Sequence, residues 1–198
     1  MLKIPALLIA VTVHELAHAL VADRLGDPTP RAMGRITLNP LPHIDPFGAL
    51  AFILAGFGWA KPVSVNAANL RHPRRDMALV AAAGPLSNFV MAFLGLMLFA
   101  LVGGGPATGE RIGRALLLVF QFNLALGIFN LIPLPPLDGG HFLRYFLPPA
   151  AGGFVHSLER FGPMILLVLV VSGGTRHIVG PAFETLTAAY IALVKLFL

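Results

Sequence analysis

Long apolar runs separated by short polar ones set the architecture of this chain. The first run, about Ile4 to Leu25, closes on Gly26-Asp27-Pro28, a combination that stops a helix. A proline-rich mixed stretch over 27–46 follows, carrying Arg31, Arg35, His43 and Asp45. From Phe47 to Ala60 no charge occurs, yet a helix needs about 20 apolar residues to cross a bilayer, so this run is too short to span. Its glycines, and the alternation in Lys61-Pro62-Val63-Ser64-Val65-Asn66, predict a re-entrant, β-hairpin-like segment over 47–66. Such a backbone has to be covered by protein or line a cavity. Beyond the basic cluster Arg71-His72-Pro73-Arg74-Arg75, a second span runs from Met77 to about Val102 and a third over about 115–136. Two more apolar segments, about 155–173 and 178–198, complete the chain.

The pattern predicts an all-α polytopic membrane protein of about five transmembrane helices, organised as a single domain over 1–198. Three of these helices would fall within about 4–147, with additional C-terminal helices over about 155–198. Composition agrees: 57% of residues are hydrophobic and 12% charged, with a mean hydropathy of +0.81, against about 45–50% and 25% in soluble domains. The net charge of +5 does not point to nucleic acid, because the basic residues are scattered among apolar runs without a basic face. Those charges set orientation instead. Arg24, Arg31, Arg35, Lys61, Arg71, Arg74 and Arg75 share one side if 47–60 is re-entrant, whereas the loop after the second span offers Arg111 and Arg114. The positive-inside rule then places the amino terminus outside and the ends of spans one and three at the cytoplasmic side.

Against this background the stretch Val13-His14-Glu15-Leu16-Ala17-His18-Ala19 stands out. It also argues that the first run is a retained helix and not a signal peptide, whose apolar stretch would be uninterrupted. On a helix, His14 and His18 fall one turn apart on one face, so both imidazoles can reach one metal ion while Glu15 stands beside it as a base. A solvated helical face is the bland alternative. It is a poor one in a bilayer, where each ionisable group costs at least roughly 2.5–3.5 kcal/mol. Counted back from Arg24 at about 1.5 Å per residue, His18 lies about 9 Å and His14 about 15 Å inside, which puts the site nearer the cytoplasm.

A catalytic zinc takes three protein ligands and leaves a position for water. The chain has no cysteine, so the third ligand is a histidine or a carboxylate. Asp23, Asp27 and Asp76 sit beside arginines or at turns, Glu110 and Glu184 belong to the outer side, and Glu159 neighbours Arg160. Asp138, on the cytoplasmic side after an apolar span and before Gly139-Gly140, is the best of the remaining candidates. His43 and His141 are substitutes, and an N-cap for a helix over His141–Phe146 is the competing role for Asp138.

Three motifs in order now carry a resemblance: His14-Glu15-Leu16-Ala17-His18, Gly84-Pro85-Leu86-Ser87-Asn88 in the second span, and Asn130-Leu131-Ile132-Pro133-Leu134-Pro135-Pro136-Leu137-Asp138-Gly139-Gly140 after the third. The chain resembles the site-2 proteases, the intramembrane zinc metalloprotease family, in a small bacterial-type form without an inserted PDZ domain. The resemblance implies one Zn2+ held by His14, His18 and Asp138, with Glu15 as catalytic base. It implies a substrate that is another protein's transmembrane segment, and a setting in the lipid bilayer of a bacterial plasma membrane. Asn88 is expected near the active site as a donor to substrate or oxyanion, and Asn130, Pro135 and His43 are further auxiliary candidates. The re-entrant stretch could hold substrate extended by strand addition, which crosslinks from Val63 or Val65 would report, or it could only plug the cavity. Two rival readings remain at this point: an HExxH membrane protease of another lineage using a glutamate such as Glu159, and a metal-ion transporter.

Overall fold

The computed structural model describes residues 2–55, 58–102 and 109–198. Eight α-helices are present among them: α1 Lys3–Arg24, α2 Thr29–Ala32, α3 Pro46–Ala55, α4 Pro73–Val102, α5 Gly109–Asn130, α6 Asp138–Phe146, α7 Gly152–Val171 and α8 Gly174–Lys195. Five of these, α1, α4, α5, α7 and α8, are long and apolar enough to cross a membrane. The third and fourth spans begin a few residues earlier than the apolar pattern suggests, and α5 stops at Asn130, short of the predicted 136.

Small residues bring the core helices together. Along α1, Ala6, Ala10, His14, His18 and Ala22 recur every fourth residue, and all five are buried. Along α4, Val80, Gly84, Asn88, Ala92 and Leu96 repeat the same spacing and are also buried. Residues four apart form one row on a helix surface, so the two rows lie against each other with little side-chain bulk between them. α5 packs against both, completing a three-helix core, and α6 rests on α4. Outside it, α8 covers an apolar cluster of Ala92, Leu96, Phe120, Leu124, Ile128 and Val194, while α7 lies along α8.

The segment expected to be a re-entrant β-hairpin is not one. Residues 46–55 form α3, and among the described residues the pairing is a single antiparallel bridge, Ile44 with Ala60, beside a Lys61 N–H bond to His43 O at 2.9 Å. The reason is local. The run is rich in Ala and Leu, strong helix formers, and the Asp45 carboxylate accepts the Gly48 N–H at 2.8 Å, which satisfies one of the unpaired donors of the first turn. Positions 56–57, where a hairpin turn would fall, lie outside the described residues. The stretch 61–66 forms neither helix nor strand and pairs with no strand among the described residues; it is called the strap below.

A candidate metal centre

Building upward from α1, His14, Glu15 and His18 are all buried, with 5%, 8% and 8% of their surface exposed. The two imidazoles stand edge to face, with ring centroids 4.6 Å apart. Each is held from behind by α4. His14 Nδ1 lies 2.6 Å from Asn88 Oδ1, and His18 Nδ1 donates to Val80 O at 2.7 Å. Gly84 is what lets α4 come this close: a Cβ there would sit 2.4 Å from His18 Nε2 and 2.6 Å from His14 Cε1.

Asp138 arrives from the opposite end. It opens α6 but makes no side-chain cap there, so the capping role is not the one it fills. Its Oδ2 points at the histidines, 3.1 Å from His14 Nε2 and 3.3 Å from His18 Nε2. The glycines after it make room. A Cβ at Gly139 would meet the carbonyls of Leu131 and Ile132 at 2.4 Å, and one at Gly140 would meet Pro135 N at 2.5 Å. The first turn of α6 is thus folded tightly over the 131–135 backbone, which aims the carboxylate back toward α1.

These three atoms form a near-equilateral triangle, since His14 Nε2 and His18 Nε2 are themselves 3.1 Å apart. If both Nδ1 atoms donate, both Nε2 atoms present lone pairs to each other and to a carboxylate oxygen. Asp138 Oδ2 is buried and has no hydrogen-bond partner among the described residues. Three acceptors facing one another need a cation between them. Ligand atoms about 2.0–2.1 Å from a tetrahedral zinc stand about 3.3 Å apart, close to the observed edges. The residues present therefore fit the metal.

Glu15 is held differently. Its Oε2 accepts the Val63 N–H of the strap at 3.0 Å and lies 3.8 Å from Arg35 Nη2. Arg35, only 2% exposed, donates in turn to Lys61 O at 2.5 Å and Pro62 O at 3.1 Å. Further along, Asp27 accepts from Asn66 N and Asn69 Nδ2, at 2.7 and 2.8 Å, fastening the end of the strap to the foot of α1.

Among the described residues the metal-ligand grouping consists of His14, His18 and Asp138. His43 is fully buried but spends Nε2 on Thr37 O and Nδ1 on Arg35, so it is a support for Arg35 and not a substitute ligand. Glu159 bonds Arg144 at 2.8 Å and lies outside this grouping, so nothing here favours the glutamate-ligand alternative. His141 is exposed on α6. Asn130 donates to Leu126 O within its own helix, and Pro135 packs beneath Gly140 and Gly162. Asn88 departs from expectation in detail: its amide hydrogens go to Ala10 O and Asn123 Oδ1, leaving none for an oxyanion. Sequence reasoning missed Arg35, Asn123 and the Val63 N–H. An arginine counted for topology and a lone Asn in an apolar span gave no sign of their contacts.

The family model described as peptidase family M50 matches residues 3–116 and 105–172. The chain belongs to this family. Curated relatives agree: "Putative zinc metalloprotease YwhC" of Bacillus subtilis is 39% identical over 196 residues, covering 96% of this chain and 88% of its own length. "Putative zinc metalloprotease Rip2" of Mycolicibacterium smegmatis is 30% identical over 176 residues, 86% of this chain and 67% of its own. "Protease RseP" of Photorhabdus luminescens is 38% identical over 73 residues, 34% of this chain and 32% of its own length. No solved structure matches the chain significantly. Membership bears out the site-2 protease resemblance: this M50 peptidase is a zinc-dependent metalloprotease and an integral membrane protein.

Proposed function

We propose that His14, His18 and Asp138 hold the single zinc, that Glu15 is the catalytic base, and that the bond cut lies in a transmembrane segment of another membrane protein. The observation that carries this is the triangle of three convergent acceptors, two of them one helical turn apart on α1, with a carboxylate beside them. Zinc, when bound, supplies Lewis acidity, which lowers the pKa of water and polarises a carbonyl. Glu15 lies between the two histidines in the sequence of α1 and is buried like them, so in this reading its carboxylate takes the proton of the attacking water and later returns it to the leaving amine.

The strap gives this base a second function. In the structure its Val63 N–H occupies Glu15, and its backbone beyond forms neither helix nor strand up to Asn66, which is itself extended. A peptide bond inside an intact helix is shielded, so substrate has to be drawn out before cleavage. A segment of this kind beside the base offers a place for it to align by backbone hydrogen bonds through the Val63–Val65 stretch. Crosslinking from Val63 or Val65 tests this: substrate adducts support alignment, and their absence in an active enzyme counts against it.

The whole of 1–198 acts as one protease domain with its catalytic core over about 4–147. We propose that this end lies at the cytoplasmic face of a bacterial plasma membrane, with the amino terminus outside; the basic residues around the strap and the start of α4 support that orientation. The test is cleavage of labelled single-span substrates by purified protein beside its Glu15→Gln variant, with zinc quantified in both. Cleavage by the wild type alone, with zinc in both, is expected. Equal cleavage by Glu15→Gln removes Glu15 from the mechanism.

A further inference from the structure

We infer that Asn123 and Asn88 form a buried amide relay that fixes the His14 proton on Nδ1, which makes Asn123, a residue outside the three motifs, a positioning residue for the metal centre. The inference rests on the zinc reading for its consequence, though not for its geometry.

An amide has a donor end and an acceptor end of nearly the same shape, so its direction is set by what it faces. Backbone carbonyls only accept. Asn123 Nδ2 lies 2.8 Å from Val119 O, so its NH2 end is there and its Oδ1 faces Asn88, 2.9 Å from Asn88 Nδ2. Asn88 Nδ2 also donates to Ala10 O at 3.0 Å. Both hydrogens of Asn88 are therefore spent, and its Oδ1 is the end 2.6 Å from His14 Nδ1. An amide oxygen cannot donate, so the proton belongs to His14 Nδ1, and Nε2 turns a lone pair toward His18 and Asp138.

Reversing either amide would set carbonyl against carbonyl at about 3 Å. Both asparagines have 0% exposure, so no bulk water can relieve such a mismatch. The direction of the relay is thus set at two carbonyls, Val119 O of α5 acting through Asn123 and Ala10 O of α1 acting on Asn88 directly, so it draws on all three core helices. His18 takes its direction independently, from Val80 O alone. It serves as an internal control.

The experiment uses the full chain in detergent, zinc-stripped and labelled with 15N-histidine, to read protonation of Nδ1 at His14 and His18; zinc affinity is then measured by chelator competition. In the wild type both Nδ1 atoms are expected to carry protons. Asn123→Ala is expected to disturb the His14 signal, leave His18 unchanged and weaken zinc by up to about tenfold, and Asn88→Leu by about 10–100-fold, the range for outer-shell partners of metal ligands. A bare Nδ1 on wild-type His14 overturns the relay without needing any variant. So does an Asn123→Ala protein with wild-type His14 signals and zinc affinity. A wild type with the expected protons that takes up no zinc supports the relay and overturns the zinc reading.

Discussion

The two sides of the centre are supported in contrasting ways. His14 and His18 are fixed by α4 at close range: each Nδ1 has one buried partner, and Gly84 leaves no slack between the helices. Glu15, one residue away from a ligand, depends instead on a single strap N–H and on Arg35, which itself reaches the strap through carbonyls. Helices packed face to face lose little to thermal motion, whereas a single segment with few apolar contacts opens at low cost. In the function proposed above, metal binding and proton transfer are therefore separable. A metal site has to persist between turnovers, while the base has to be uncovered when substrate arrives.

That separation can be attacked from either side. The largest effect is expected for Asp138→Ala, which should cost zinc more than the about 10–100-fold typical of lost outer-shell partners while leaving strap amide exchange unchanged. Gly84→Ala comes next. Its Cβ would overlap both imidazoles, so the helices must part, and a stability loss of about 1–3 kcal/mol is expected with loss of zinc, read by thermal melting and metal analysis. Arg35→Gln should act on the other side: zinc content stays at the wild-type level, Val63 amide exchange accelerates, and kcat falls about tenfold, a part of the about 100-fold that a 1 Å misplacement can cost. Loss of zinc in Arg35→Gln would merge the two sides into one.

The smallest effect is pH-dependent. Burial pushes the Asp27 carboxyl up, but hydrogen bonds from Thr29, Asn69 and Asn66 together outweigh it and hold the group below the ordinary carboxylate value. A carboxylate with a depressed folded pKa stabilises above its unfolded pKa of about 3.9, and that contribution is lost as pH falls through the folded value. Asn66 amide protection should therefore hold down to about pH 4 and decline below it, a dependence absent in Asp27→Asn.

The helix-borne half of the centre was the more legible in sequence for the same physical reason that it is rigid. His14 and His18 are related by helical spacing, and ionisable residues in an apolar run announce themselves by their cost. Asp138 could be ranked first because Gly139-Gly140 allows a turn that few other sequences permit. The strap was legible only as an anomaly. Its hairpin was a misreading, because a charge-free run too short to span was assigned by its glycines when its Ala, Leu and Asp45 favour helix. Arg35 and Asn123 were invisible for another reason: their contacts span 26 and 35 residues along the chain, so nothing local signals them.

The most direct test of the central claim is zinc X-ray absorption on the purified wild type with Asp138→Ala beside it. One zinc per chain with two imidazole nitrogens and a carboxylate oxygen at about 2.0–2.1 Å is expected, with an altered or absent zinc signal in the variant. A single imidazole in the wild-type spectrum, or one unchanged on removal of Asp138, would contradict it.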